Sequence, residues 1–180
     1  VHRLKAQGDA ACEGDLAPPI LTAAGLLATP FGPHHSRTAF NLIREDKSLR
    51  QDAGLPNFQS PSEVRAWVTW MRETRGASVH ALVEPHEYGF VGAITVSDEG
   101  YFSYWIGAPH RRRGFGSLAL QLLQQLAALR GIRRLHSYVD TTNEASRRAL
   151  VSSGFRREPA GLGGAGQLLD EYAMEVVSAT

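Results

Sequence analysis

Apolar and polar positions change their period several times along this chain, and each change marks an element. Ile20 to Thr29 is a mostly apolar run closed by Pro30, Gly32 and Pro33, which predicts a first strand. From Ser36 to Arg50 the apolar residues Ala39, Leu42, Ile43 and Leu49 recur at helical spacing, and Gly54 and Pro56 stop the pattern. Ser60-Pro61-Ser62-Glu63 then supplies a capping serine, a proline at the first helical position and a glutamate three residues on. Val64, Trp67, Val68 and Met71 follow on one helical face, and Gly76 ends it. Three β-rich runs, Ala77–Glu84, Gly89–Ser97 and Tyr101–Gly107, are separated by Pro85-His86-Glu87 and Asp98-Glu99-Gly100, so they predict an antiparallel meander. Gly114 to Arg130 is a helix with Phe115, Leu118, Ala119, Leu122, Leu126 and Leu129 on its buried face and Gly131 as its stop. A strand over Ile132–Val139, a short helix over Asn143–Ser153 ended by Gly154, and two last strands over Phe155–Glu158 and Leu168–Val177 complete the chain.

The predicted order is β-α-α-β-β-β-α-β-α-β-β. Consecutive strands imply antiparallel pairing, while the strand–helix–strand passage from 101 to 139 implies a parallel crossover. The class is therefore α/β in the α+β sense: a central mixed, mostly antiparallel sheet of about seven strands flanked by about four helices. Residues 1–19 show no period and read as a flexible lead-in, and 20–180 read as a single domain.

Composition narrows the class. The chain has 180 residues, 43% of them hydrophobic, enough for a buried core. Cys12 is the single cysteine, which excludes a disulfide framework and fits a reducing, cytoplasmic setting. The longest apolar stretch, Ile20 to Ala28, is too short for a bilayer, so no membrane partner is expected. Residues 1–19 lack the apolar centre of a secretory signal. A net charge of +1 conceals a division: Arg111 to Arg157 holds ten arginines and two acids, giving +8, against −7 for the remainder. A basic segment of this kind attracts phosphates.

Candidate chemistry is densest in Tyr104-Trp105-Ile106-Gly107-Ala108-Pro109-His110-Arg111-Arg112-Arg113-Gly114-Phe115-Gly116-Ser117. A strand runs into a turn with two glycines, and a helix follows. Glycine lets backbone approach a ligand closely, and the first amides of a helix are free to bind anions. Three arginines beside them add charge-assisted donors, a combination suited to a pyrophosphate.

These residues resemble a family. Arg111-x-x-Gly114-x-Gly116 after a strand is similar to the acyl-CoA-binding signature of the GNAT (GCN5-related) N-acetyltransferases. Asn143-Glu144-Ala145-Ser146 through Ser153-Gly154-Phe155 looks like the second signature, and the Asn-x-x-Ser spacing with Tyr104-Trp105-Ile106 is most similar to the RimJ/RimL-like branch. The resemblance implies the GNAT fold, acetyl-CoA as co-substrate, no metal, and acetyl transfer to a primary amine by direct attack in a ternary complex. The acceptor would be a protein or peptide N-terminus or a small-molecule amine, and a homodimer is left open. Backbone at Ile106, Gly107 and Ala108 would meet the pantetheine arm. Amides from Arg111 through Arg112, Arg113, Gly114, Phe115 and Gly116 to Ser117 would cradle the pyrophosphate. Asn143 would contact the pantetheine, with a plain helix cap as its other role, and Ser146 would lie near the thioester sulfur.

Acetyl transfer needs a base for the amine, donors for the oxyanion and an acid for the thiolate. Many family members carry a tyrosine acid seven residues after the asparagine; here that position is Leu150. Ser146 is the substitute that the RimL-like resemblance implies, with Tyr104 and Tyr138 behind it, and the Ile106 amide would be the oxyanion donor. Among Glu84, Asp98 and Glu99, Glu99 is the choice for the base. Two other classes stand beside this reading: a non-catalytic acyl-CoA-binding module, and a nucleic-acid-binding protein using the Arg111–Arg157 patch. Gly161 to Gly166 spells G-x-G-x-x-G but lacks the following helix of a dinucleotide site, so it reads as a loop. His34 and His35 read as surface histidines, Cys12 as no nucleophile, and Trp67 as core.

Overall fold

The computed structural model describes residues 20–158 and 169–176. The expectations for residues 1–19, for the loop at 159–167 and for the end of the last strand at Val177 lie outside the described residues.

The first predicted strand is a hairpin. β1 (Leu21–Ala23) and β2 (Leu26–Pro30) pair antiparallel across Ala24 and Gly25, whose φ angles of 44° and 87° make the tight turn that suits strand twist. Alanine at a positive φ gives no turn signal in sequence, which is why the run reads as one strand. The first predicted helix also divides. α1 (Ser36–Glu45) stops at Asp46, which is extended and caps α2 (Lys47–Asp52) by accepting from the Leu49 amide at 3.0 Å. α3 (Pro61–Arg75) begins and ends where its signals put it. Ser60 accepts from the Glu63 amide at 3.3 Å, and Gly76 closes the helix at φ 56°.

β3 (Ser78–Glu84), β4 (Gly89–Val96) and β5 (Phe102–Ile106) form the predicted meander, so β1 to β5 make one antiparallel sheet in sequence order. α4 (Phe115–Leu129) leads to β6 (Arg134–Asp140), then come α5 (Glu144–Ser152), β7 (Arg156–Glu158) and β8 (Leu169–Glu175). The last three strands form a second antiparallel sheet in the order β6-β8-β7. The parallel crossover between β5 and β6 is reduced to one bridge, Tyr101 to His136, where the His136 amide donates to the Gly100 carbonyl at 3.0 Å. Gly100 permits that approach: its φ is 85°, and a Cβ there would run into the Arg134 carbonyl. Beyond the bridge the two edges are unpaired among the described residues.

Alternation along the strands splits the core in two. Phe102 and Ile106 of β5 join Leu120, Leu123, Leu135, Leu150 and Tyr172 in a cluster around α4. Trp105 of the same strand joins Phe31, Phe40, Val64, Val68 and Phe90 beneath α1 and α3. Each such side chain contributes about 1.5–3 kcal/mol on burial, so β5 is clamped from both faces at the point where its edge is left free. Among the described residues no helix is long and apolar enough to cross a membrane.

Candidate active site

The free edge of β5 supplies the first functional groups. Ser97 donates to the Tyr101 carbonyl and Gly107 to the Val91 carbonyl, each at 2.9 Å, so the odd-numbered residues of β5 bond to β4. In an antiparallel ladder the alternate residues point the other way, which turns the N–H and C=O groups of Tyr104 and Ile106 into the gap toward β6. A cleft of about 890 Å³ opens there. It is lined by Tyr104, Ile106 and Ala108 from β5 and its exit, by Arg111, Arg112, Arg113, Phe115 and Gly116 from the turn and α4, and by Asn143 and Ser146 from α5. Leu49, Asp52 and Ala53 of the α2 region form a further wall.

Gly107, Gly114 and Ser117 shape this cleft without lining it. A Cβ on Gly107 would come within 2.9 Å of the Leu42 side chain. Arg112 (φ 58°) and Gly114 (φ 82°) turn the chain into α4. The Ser117 and Leu118 amides both bond back to the Gly114 carbonyl, at 3.1 and 3.2 Å. The amides of Arg112 to Gly116 have no backbone acceptor among the described residues, which leaves a row of free donors at a helix N-terminus.

The three arginines divide their roles. Arg113 stacks over the Tyr88 ring at 4.7 Å and donates to its hydroxyl at 2.7 Å. Arg111 turns inward, donating from Nε to the Ile106 carbonyl at 3.1 Å and pairing with Asp46. Arg112 is exposed at the rim. Asn143 is the cap of α5, its Oδ1 accepting from the Ser146 amide at 3.1 Å, and it faces the cleft as well. Burial pushes the Tyr104 phenol above its ordinary value, against a smaller downward pull from the Ser146 hydroxyl beside it. Leu150 lies fully buried under α5, so that position is core.

Two expected catalytic residues stand elsewhere. Glu99 sits in the turn that starts β5, whereas the cleft opens at the strand's other end, roughly 20 Å along the chain. Tyr138 lies on the exposed face of β6, between the buried Ser137 and Val139, with its ring centroid 6.1 Å from that of Tyr101. Glu84 is engaged with the amides of His86, Glu87 and Tyr88, and Asp98 pairs with Arg130. His35 is buried, not a surface residue: its Nδ1 accepts from the Gly32 amide at 3.0 Å. Among the described residues no group of three or more His, Cys, Asp and Glu side chains is placed to hold a metal ion.

Asp52 is the carboxylate that sequence reasoning missed. It ends α2 at the cleft wall. Asp52 is exposed, yet partial desolvation raises its carboxyl from the ordinary aspartate value; the Arg111 charge pulls the other way, and the Asp140 and Asp46 charges add to the rise. In sequence it lies just past the predicted helix Ser36–Arg50, before Gly54, with no motif around it.

A free strand edge that runs into a glycine turn and a helix N-terminus makes a cleft suited to a phosphate-bearing ligand. The chain belongs to the GNAT acetyltransferase domain family, whose pattern it matches over residues 26–156. No curated protein matches its sequence. Among solved structures it is similar to a RimL ribosomal protein α-N-acetyltransferase in complex with coenzyme A, at 20% identity and TM-score 0.74, covering 88% of this chain and 98% of that one. An acetyl transferase from Salmonella typhimurium that modifies an N-terminal serine of a 50S ribosomal subunit protein matches at 22% identity and TM-score 0.72, over 88% and 100%. A spermidine N-acetyltransferase from Vibrio cholerae, bound to CoA and spermine, matches at 11% identity and TM-score 0.74, over 86% and 97%. These likenesses show the fold, and RimL enzymes among them agree with the RimJ/RimL-like resemblance.

Proposed function

We propose that this chain is an acetyl-CoA-dependent N-acetyltransferase acting on a primary amine by direct attack in a ternary complex, as one domain and in the cytoplasm. The observation that supports it most is the unpaired β5 edge running straight into the free amides of Arg112 to Gly116, with Ser146 and Tyr104 in the same cleft. A pantetheine arm adds to such an edge as another strand would, and the following pyrophosphate meets the helix N-terminus. Similar folds solved with coenzyme A, and with CoA and spermine, agree with donor and acceptor chemistry.

The reaction starts from an ammonium, which must lose a proton before nitrogen can attack the thioester carbon. Asp52 replaces Glu99 as the base in this reading, because it is the free carboxylate on the cleft wall. The oxyanion is met by the Ile106 N–H, aimed into the gap by strand register. Collapse breaks the carbon–sulfur bond as the nitrogen sheds its second proton; the thiolate takes a proton from Ser146, which that second proton restores, with the Tyr104 phenol behind it. The net change is ammonium plus thioester to amide, thiol and one proton.

Calorimetric titration with acetyl-CoA, with NADH as control, tests the reading. Micromolar binding to acetyl-CoA alone, followed by thiol release with spermidine or a free-amine peptide, is the expected result. No heat with acetyl-CoA overturns it.

A further inference from the structure

Arg111 is the residue whose sequence role and observed place differ most. The acyl-CoA signature points its guanidinium at phosphates, yet the side chain folds back. Its Nε donates to the carbonyl of Ile106, the last residue of β5, and its Nη2 pairs with Asp46 Oδ2. The other Asp46 oxygen accepts from the Leu49 amide at 3.0 Å and the Ser48 hydroxyl at 2.8 Å. The Asp46 side chain is 10% exposed and both of its oxygens are engaged, while Arg111 reaches it from the rim and stays 38% exposed. A phosphate approaching this guanidinium would meet a carboxylate already in place.

What the contacts join is informative. One end is the β5 edge, at the residue whose N–H faces the gap. The other end is the cap of α2, a helix of six residues that carries Leu49 and Asp52 into the cleft. A helix that short does not hold itself in water. Its position depends on its cap and on what the cap is tied to. The rim arginine, Arg112, and the free amides of the turn are left to meet phosphates.

We propose that Arg111 is a positioning residue that locks the β5 edge to helix α2 across the cleft through Ile106 and Asp46, and is not a phosphate ligand. The proposal rests on the acetyl-CoA reading of the cleft. It specifies a bidentate fork, because one planar guanidinium reaches a carbonyl and a carboxylate at once. Lysine keeps the charge and would still serve a phosphate, but it has no fork to span both.

The test compares wild type, Arg111→Lys, Asp46→Asn and the double variant. Acetyl-CoA binding is read by calorimetry, and binding of acetyl-pantetheine, which carries no pyrophosphate, by NMR titration. Both single variants are expected to weaken both donors by the same factor, about tenfold or more, from loss of a charge-assisted pair. The double variant is expected to be no weaker than Arg111→Lys alone, since one linkage has been cut twice. A loss confined to acetyl-CoA overturns the proposal, and so does tighter acetyl-CoA binding by Asp46→Asn, because each marks Arg111 as a phosphate ligand. Unchanged affinities with a lowered unfolding temperature also overturn it, leaving a structural ion pair. Arg111→Lys alters a partly exposed side chain, so it carries the test if Asp46→Asn does not fold. Wild-type protein that binds neither donor overturns the acetyl-CoA reading and the proposal with it, whereas wild-type binding with indifferent variants removes the proposal alone.

Discussion

Ser146 and Asp52 differ in how they reach the cleft, and that difference sets what their removal does. Ser146 stands on the first turn of α5, beside the buried Tyr104 phenol, and its amide is held by Asn143. Ser146→Ala leaves that amide contact in place, so it is expected to lower turnover about hundredfold while the acetyl-CoA affinity stays within a few-fold. Single-turnover thiol release set beside calorimetry checks it, and an unaltered rate moves the acid to Tyr104. Asp52→Asn is expected to cost a similar factor and to remove the rising limb of the pH–rate profile, which is displaced upward from that of an ordinary aspartate because partial desolvation raises this carboxyl. An identical profile in the variant would exclude Asp52 as the base. Leu150→Tyr restores the phenol many relatives carry, yet the site is fully buried core. Overpacking there is expected to cost about 1–3 kcal/mol in denaturant unfolding, with no gain in turnover.

At the scale of elements, sequence was a good guide wherever a local signal decides the backbone. Ser60, Pro61 and Gly76 bound α3 because caps are local chemistry, and the Arg-Gly turn leads into α4 for the same reason. It was a poor guide where that signal is weak. Alanine at a positive φ hides the hairpin turn at Ala24-Gly25, and Asp46, which caps α2 locally, gives no sign of its other partner, Arg111, sixty-five residues away. The cleft's donor side was legible for this reason, being one continuous segment from Tyr104 to Ser117. Its far wall was not, because α2 comes from elsewhere in the chain, and Glu99 borders β5 at the end away from the cleft. The turn makes its own prediction. Gly114 has open space where a Cβ would go but a φ of 82°, so Gly114→Ala meets strain, not collision. A cost of about 1–2 kcal/mol in stability is expected, with weaker acetyl-CoA binding as the turn relaxes. Unchanged affinity would show that the free amides do not depend on this conformation.

For the whole molecule, charge counted along the chain misleads about charge in space. Of the ten arginines between 111 and 157, six pair with carboxylates among the described residues: Arg111, Arg130, Arg134, Arg147, Arg148 and Arg157. Their partners include Asp46, Asp98, Asp170 and Glu175, from outside that segment, so folding spends much of the +8 internally. Two buried imidazoles carry a further electrostatic effect. His80 is 4% exposed and neither ring nitrogen has a hydrogen-bond partner; burial, then the Arg72 and Arg130 charges, lower its pKa to about 4. His35 is lowered to about 4 by burial and then by His34. Both are neutral in the folded protein while the unfolded chain protonates them near pH 6.5. Between about pH 6.5 and 4 the unfolded state therefore binds more protons, so their contribution is fully present above 6.5 and is lost as pH falls toward 4. At 1.36 kcal/mol per unit the loss is on the order of 3 kcal/mol for each, a large share of a domain's stability. Urea midpoints measured from pH 7.5 to 4.5 should fall steadily (roughly the window between the two protonation ranges). His80→Leu, which removes one titration and fills the same apolar layer, should flatten the slope by about half. A wild-type midpoint that does not move over this window would mean that both imidazoles reach water in the folded protein, His80 on the α4 side of the sheet and His35 beside Phe31 and Phe90 on the other.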